Sequence, residues 1–384
     1  MLFTCPGAVA RGGATRASGG RRHPCVDIHC HVQVPAADEM VKDVPRPGPD
    51  PQFRFSSELS RATNRQQQEN VWACLTSVDQ RLRDMDKMGM DVQAISPSPF
   101  HFMYWLPPDV ARRMSRTVNE HLAGIVRAHP DRFVALAHVP LQAPEAAAAE
   151  LEYCVKELGF RGAEIGTNVA GAEVSRGRDA FWGKAQELDV VVFMHPAGFT
   201  GGERLADHYF INVIGNPLDT TLAVGYLVFD GVLERFPRLK IVAAHGGGYV
   251  AHYPARMDHV WGARVDARTV LKQAPRRSLA KLYFDTIVFD RHQLQHLVSM
   301  WGADHILVGT DYPYDMGMYD PRGFVDGCAF LKDGDRAKIL GLNAARLLKI
   351  TGRLATMGIK PAARSAPARR SAPARRSAKK RARR

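Results

Sequence analysis

Short apolar runs alternate with longer amphipathic segments along the middle of the chain. Nearly continuous apolarity, in place of strict alternation, is typical of strands buried on both faces of a parallel sheet. Two amphipathic segments end at Gly89 and Gly159, and a third is predicted to begin with Asn216 as its N-cap and to continue to Phe236. The pattern predicts parallel strands joined by crossover helices. The predicted strands are Val26–Val32, Val92–Ser96, Phe133–Leu141, Gly162–Gly166, Val190–His195, Lys240–His245, Leu282–Val288 and His305–Asp311.

Eight strand candidates with helices between them predict an α/β protein with a (β/α)8 TIM barrel. A doubly wound open sheet is the alternative, but no Gly-x-Gly-x-x-Gly sequence follows any predicted strand. Residues 33–78 are too long for a simple βα loop, and we expect them to form a cap inserted after the first strand. The predicted organisation is a disordered leader at 1–22, a barrel at 23–358 and a disordered basic tail at 359–384.

Histidine and aspartate residues stand at the carboxyl ends of the predicted strands, the face on which barrel enzymes build their active sites. His29 and His31 are two residues apart in the first strand, which places both imidazoles on one face about 6.6 Å apart. His195, His245 and Asp311 end the fifth, sixth and eighth strands. One histidine at a strand end is commonly structural, but five such groups on one rim predict a shared metal site. Three imidazoles and one carboxylate suit Zn²⁺ or a similar first-row ion.

Five motifs in the chain resemble the amidohydrolase superfamily, in the branch of the 2-amino-3-carboxymuconate-6-semialdehyde decarboxylases. The resemblance covers most of residues 24–350 in the same order. It implies a (β/α)8 barrel with one divalent metal, zinc with manganese as the alternative, in a homodimer. The motifs are DIHCHVQVP, VKELGFRGAEIGTN, FMHP, FPRLKIVAAHGGG and ILVGTDYP.

The resemblance also implies roles for single residues. His29, His31, His195 and Asp311 match the metal ligands, and Asp311 is also counted as catalytic. His245 matches a histidine that does not bind the metal but activates its water.

The resemblance further implies residues that bind the substrate. Arg256 matches an arginine that reaches the neighbouring subunit's substrate, and Arg264 is a second candidate. Arg61 and Arg65 are alternatives for an arginine expected upstream. Asn212 stands where the semialdehyde decarboxylases have a tryptophan, as does Ala197, which predicts a wider or more polar pocket and a different substrate.

These residues predict a metal-dependent, non-oxidative decarboxylase, a carbon–carbon lyase, that acts on a small unsaturated or aromatic carboxylic acid. Arginine suits such a substrate because its planar group binds a carboxylate through two hydrogen bonds. A hydrolase or hydratase of a related ring-cleavage product on the same site is the alternative.

The net charge suggests a third functional class, nucleic-acid binding, but the distribution of charge along the chain weakens this suggestion. The net charge is +13, but the four arginines of 1–22 and the eleven cations of 360–384 leave residues 23–359 near −2. The tail could make weak, salt-dependent contacts with nucleic acid or another polyanion, and a nucleic-acid-binding protein is therefore the third hypothesis. The chain contains no apolar stretch of about 18 residues, which argues against a membrane span. Six scattered cysteines without a CxxC pair indicate a reducing cytoplasm.

Overall fold

Eight parallel strands close into a barrel in the computed structural model, which describes residues 23–356 and the side chains of 23–354. Each strand pairs in parallel with the next one along the barrel, as predicted from the apolar runs. The strands are β1 Val26–Val32, β2 Val92–Pro97, β3 Phe133–His138, β4 Gly162–Gly166, β5 Val191–His195, β6 Lys240–Ala243, β7 Tyr283–Asp285 and β8 Ile306–Leu307.

The barrel closes where the chain after β8 meets β1. The backbone N–H of Ile28 donates to the carbonyl of Val308 at 3.0 Å, and that of His31 donates to Tyr312 at 2.8 Å. An isolated parallel bridge joins Cys30 and Tyr312. These bonds join the first and last strands, and the predicted (β/α)8 fold is confirmed.

The later strands are shorter than the apolar runs that predicted them. β6 ends at Ala243, and β8 ends at Leu307. His245 and Asp311 lie beyond these ends with φ values of 54° and 55°. Non-glycine residues rarely adopt this left-handed region, so the backbone has left the extended ladder where the polar residues begin.

Helices occupy the segments between the strands, with one correction to their predicted boundaries. A π-helical turn, Ile211–Gly215, runs directly into the helix Asn216–Phe229, so Asn216 has helical dihedrals and is not an N-cap. Gly231 breaks this helix with φ 71° before a short turn follows. The helices are Pro35–Val41, Pro51–Arg54, Glu58–Thr76, Val78–Met88, Pro108–Ala128, Pro144–Lys156, Asp179–Glu187, Asn216–Phe229, Val232–Arg235, Pro254–Ala263, Pro275–Leu279, Arg291–Trp301, Pro321–Asp326, Asp333–Ala337, Asn343–Leu347 and Thr351–Thr356.

The insertion after β1 lies against the loop that follows β5. It carries the first three helices of the chain, at Pro35–Val41, Pro51–Arg54 and Glu58–Thr76. Its Ser57 N–H donates to the carbonyl of Ala206 at 2.7 Å. The insertion therefore stands beside the carboxyl end of the barrel, where the polar strand-end residues are.

Apolar side chains fill the barrel below these residues. One buried cluster joins the first residues of several strands, such as Val26, Val92 and Val134, to Leu347 and Leu354 near the described C-terminus. The C-terminal helices thus cover the amino end of the barrel, which leaves the carboxyl end for the polar site.

Several remaining predictions concern the surface and the termini. Among the described residues, none of the five cysteines forms a disulfide, and no helix is long and apolar enough to cross a membrane. The predicted leader at 1–22 and the tail from 359 lie outside the described residues.

Candidate metal centre and active site

Four side chains that the sequence predicted, two from β1, one from β5 and one that follows β8, meet at the carboxyl end of the barrel. His29, His31, His195 and Asp311 are buried, and each offers a ligand atom within 4.8 Å of the others. Asp311 Oδ1 lies 3.2 Å from His29 Nε2, 3.1 Å from His31 Nε2 and 3.9 Å from His195 Nε2. The rings of His29 and His31 lie edge to face with centroids 5.1 Å apart, which places them on one side as their spacing predicted.

The protonation of these groups suits a cation. Burial lowers the pKa of His31 to about 4 and, together with the neighbouring histidines, lowers that of His195 well below its usual range. Burial opposes ionisation of Asp311, but the histidines around it hold its pKa well below the usual range. Burial would also lower the pKa of His29, yet Asp311 and Asp285 outweigh this and raise it to about 10. Without an ion the site thus has neutral His31 and His195, an ionised Asp311 and a proton held on His29 by two carboxylates. A bound cation would displace that proton and take its place between the acidic groups.

Unpaired buried atoms give a second indication that this cluster fits an ion. His29 Nε2 and both ring nitrogens of His195 have no hydrogen-bond partner among the described residues, although they are buried. Buried polar atoms in proteins are nearly always paired. Three imidazoles and one carboxylate form a nitrogen and oxygen donor set that suits a first-row divalent ion. The residues present therefore fit a divalent metal.

Asp285, the last residue of β7, orients the cluster from behind and was not singled out from the sequence. Its Oδ2 accepts a hydrogen bond from His29 Nδ1 at 2.7 Å, and its two oxygens accept the backbone N–H groups of His245 at 3.0 Å and Gly246 at 2.8 Å. A metal-binding histidine commonly donates its second ring N–H to a carboxylate, which fixes the ring and its tautomer. The signal in the sequence that could have identified Asp285 is that it is the single acidic residue within the apolar run Leu282–Val288.

A second buried acid, Asp27, holds the two ends of the barrel seam together. It accepts hydrogen bonds from Thr310 Oγ1 at 2.6 Å, from the Thr310 N–H at 3.1 Å and from the His29 N–H at 3.0 Å. Gln93 Nε2 donates to it as well, at 3.0 Å. Because Thr310 precedes Asp311, this network sets the position of the carboxylate in the cluster.

Glu164 in β4 lies next to the cluster. It is fully buried, and its Oε1 is 3.6 Å from His31 Nδ1. Burial raises the pKa of Glu164 to about 8, so the carboxyl group is held largely protonated near neutral pH.

A cavity of about 290 Å³ opens above the four residues. His245 and Asn212 both line it, as the sequence predicted for residues near the substrate. Its other polar walls come from the cap and from the segments that follow β5 and β8. Among the lining residues there is no lysine or arginine. The lining includes Gln52, Phe100, Ala197, Tyr209, Asn212, Asn216, His245, Phe289, Tyr314 and Asp315.

The predicted arginines are absent from the cavity of their own chain. Arg256 is exposed on the helix Pro254–Ala263, and Arg264 is an exposed residue that pairs with Asp266 at 2.8 Å. Arg61 and Arg65 are exposed on the helix Glu58–Thr76. Of the described cap residues, Gln52 lines the cavity, and the short helix Pro51–Arg54 that carries it is in close contact with the loop after β5. Roles for these arginines stay predictions.

The chain is similar in sequence to a known family of enzymes and to several of its members. The amidohydrolase family matches residues 26–350. The 2-amino-3-carboxymuconate-6-semialdehyde decarboxylase of Dictyostelium discoideum is 32% identical over 272 residues, which cover 70% of this chain and 76% of that protein. The gamma-resorcylate decarboxylase of Rhizobium radiobacter is 28% identical over 306 residues, which cover 72% and 88%.

A solved structure shows the same fold. The dihydroxybenzoic acid decarboxylase of Polaromonas sp. JS666, determined with bound manganese and an inhibitor, superposes with a TM-score of 0.72 at 24% identity over 86% of this chain and 98% of that one. The family match spans every strand of the barrel and all the strand-end residues described above. The chain therefore belongs to the amidohydrolase family and is an enzyme of that superfamily.

Proposed function

We propose that the protein is a metal-dependent, non-oxidative decarboxylase that acts on an aromatic or unsaturated carboxylic acid. The observation that carries this proposal is the meeting of His29, His31, His195 and Asp311 beneath a cavity that His245 lines. The relatives that cover most of the chain are named as decarboxylases of such acids, which supports the reaction class.

The four buried residues would hold the ion, and Asp285 would keep His29 in the tautomer whose Nε2 lone pair faces it. A bound divalent ion supplies Lewis acidity, which polarises oxygen atoms of the substrate and stabilises negative charge. Zinc is our choice from the donor set, and manganese, which is bound in the Polaromonas structure, is the alternative.

Loss of carbon dioxide leaves an electron pair on the substrate carbon, and one proton must reach that carbon. We assign its delivery to His245, whose Nε2 lies 3.6 Å from Asp311 Oδ2 and whose side chain lines the cavity. The backbone N–H of His245 donates to Asp285, so the histidine is held from the strand below it. A positioned histidine is the commonest proton donor in enzymes.

The cavity walls favour a substrate with one carboxylate and neutral polar substituents. Gln52, Tyr209 and Asn212 offer uncharged hydrogen-bonding groups, whereas no cationic side chain of the described residues lines this cavity. A second carboxylate would enter a site without a cation to pair with it, which is costly in a partly buried place. Hydroxylated aromatic monocarboxylates are therefore the substrates that we propose first.

We also propose a homodimer that uses the surface at the cavity mouth. This surface presents several exposed large apolar side chains, and Arg256 lies three residues from Tyr253 on it. A second subunit seated there could supply Arg256 to its neighbour, in which case a dicarboxylate would be accepted. The exposed residues are Phe210, Val213, Tyr249, Tyr253 and Phe289.

The test measures carbon dioxide release and water consumption over a panel of hydroxybenzoates and carboxylated muconate semialdehydes. We expect carbon dioxide release, loss of both metal and activity in His195→Ala, and loss of turnover with retained metal in His245→Ala. His292→Ala, an exposed histidine on Arg291–Trp301, is the matched control and should behave as wild type. Turnover that consumes water without releasing carbon dioxide would show the hydrolase or hydratase alternative instead.

A further inference from the structure

A second cavity, of about 280 Å³, lies beside the catalytic one at the same end of the barrel. Residues 46–54 of the cap form one side of it. The loops after β2, β4 and β5 form the other sides, with Trp105, Thr167 and Thr200 among the lining residues. None of the four buried cluster residues and no histidine lines this space, so it is separate from the proposed metal site.

This second cavity carries the cations that the catalytic cavity lacks. Arg46 and Arg54 both line it, and the Arg46 guanidinium lies over the Trp105 ring at 5.1 Å. Asp50 is the one carboxylate in the lining, and its Oδ1 caps the helix Pro51–Arg54 by accepting the Gln52 N–H at 2.9 Å. The lining therefore has a net charge of +1, and it places a planar cation against an aromatic wall, an arrangement that suits carboxylates and flat rings.

Strained backbone surrounds the same space. Met103 and Ala170 line it with φ values of 35° and 51°, which non-glycine residues rarely adopt. Two lining glycines, Gly171 and Gly198, also have positive φ, which glycine adopts without strain. Residues held in such conformations cluster at ligand-binding sites, because the surrounding fold must offset their cost.

The wall between the two cavities is thin. Phe100 and Ala197 line both, whereas Pro51 faces the second cavity and Gln52 the catalytic one. A Cβ atom on Gly198 would lie 2.9 Å from the Gln52 backbone nitrogen, so the two segments are in close contact. Gln52 Nε2 in turn donates to Tyr209 Oη at 3.3 Å on the catalytic side.

We propose that this second cavity binds a planar aromatic monocarboxylate, with Arg46 and Arg54 pairing its carboxylate and Trp105 and Phe100 flanking its ring. The site goes beyond the proposed function, since ligand binding there needs neither the metal nor turnover. Where the proposed function holds, the ligand is the acid and not its product, because decarboxylation removes the charge that the arginines recognise. The enzyme would then carry a second molecule of acid one wall away from its catalytic pocket.

The test is calorimetric titration of the metal-loaded, full-length protein with 2-naphthoate. We expect two binding equivalents per chain in the wild type. At ligand concentrations that saturate the wild type, the double variant Arg46→Gln/Arg54→Gln should bind one equivalent, because its second-site Kd is raised at least tenfold. Both arginines are exposed, so the variant should fold, and unchanged thermal unfolding checks this.

Arg112→Gln/Arg113→Gln removes the same charge from exposed positions on the helix Pro108–Ala128 and should retain both equivalents. A single equivalent in the wild type that the Arg46/Arg54 variant retains, or two equivalents of wild-type affinity in that variant, would overturn the proposal. Two equivalents without decarboxylation of any acid would leave this site standing and remove the proposed function. Decarboxylation together with a single equivalent that the Arg46/Arg54 variant retains would support the proposed function and remove this site.

Discussion

Replacing Asp285 by asparagine tests how the site holds an ion while changing little of its shape. All the hydrogen-bond partners of this side chain are donors. His29 Nδ1 and the His245 N–H point at Oδ2, and the N–H groups of Gly246 and Ile287 point at Oδ1. An asparagine must place its own NH₂ group against one of these pairs, whichever way the amide is turned.

The expected loss of metal affinity depends on the tautomer of His29. If the amide NH₂ faces His29, the ring must accept at Nδ1, and its proton then sits on Nε2, which can no longer donate a lone pair to a metal. If the amide is reversed, two backbone donors lose their acceptor. Loss of a partner of this kind typically lowers metal affinity 10–100-fold, or about 1.4–2.7 kcal/mol.

The assay is metal competition against a chelator of known affinity, with metal content measured on the same samples. Asp290→Asn is the matched control, because Asp290 Oδ1 accepts the His292 N–H at 2.8 Å as an exposed helix N-cap, and asparagine caps helices about as well as aspartate. Its metal affinity should equal that of the wild type. A folded Asp285→Asn protein that binds metal as tightly as the wild type would refute the reasoning.

Further predictions concern stability. Burial, assisted by His101, lowers the pKa of His138 to about 4, so the unfolded chain takes up this proton first. The stability that neutral His138 contributes is fully present above about pH 6.5 and falls by about 2 kcal/mol at pH 5. In His138→Gln, the free energy of unfolding from urea titrations should therefore depend less on pH between 7 and 5 than in the wild type. An equal pH dependence in the two proteins would contradict this. Gly162→Ala should lower the free energy of unfolding by at least about 1–3 kcal/mol, because its Cβ would lie 2.0 Å from the Val191 carbonyl oxygen. Gly183→Ala, within the helix Asp179–Glu187, should instead raise the free energy of unfolding by about 0.5–1 kcal/mol. Chelation should lower Tm, since an ion at 100 times its Kd contributes about 2.7 kcal/mol; an unchanged Tm would argue against a bound ion.

The sequence by itself determined the barrel and predicted the four residues that meet as the candidate metal cluster. Eight apolar runs carry the strands because parallel strands covered on both faces need continuous apolar side chains. His29, His31 and His195 could be named because they lie on or at the end of those strands, and the carboxyl ends of barrel strands share one rim. The later strands end before their apolar runs do, because apolar residues continue past the last ladder bond.

Tertiary structure alone decided which polar groups meet across the barrel. Asp285 is 256 positions from His29, so its hydrogen bond to that ring depends on how β7 and β1 lie in the closed barrel and leaves no local pattern. The cap residues show that a predicted site residue can also lie outside the site. Arg61 and Arg65 lie on the exposed side of a helix and do not line the cavity, whereas Gln52 does. Periodicity fixes the face of each element, but the angle at which an insertion packs on the barrel is set by contacts between distant segments, and these contacts choose which side chains line the cavity.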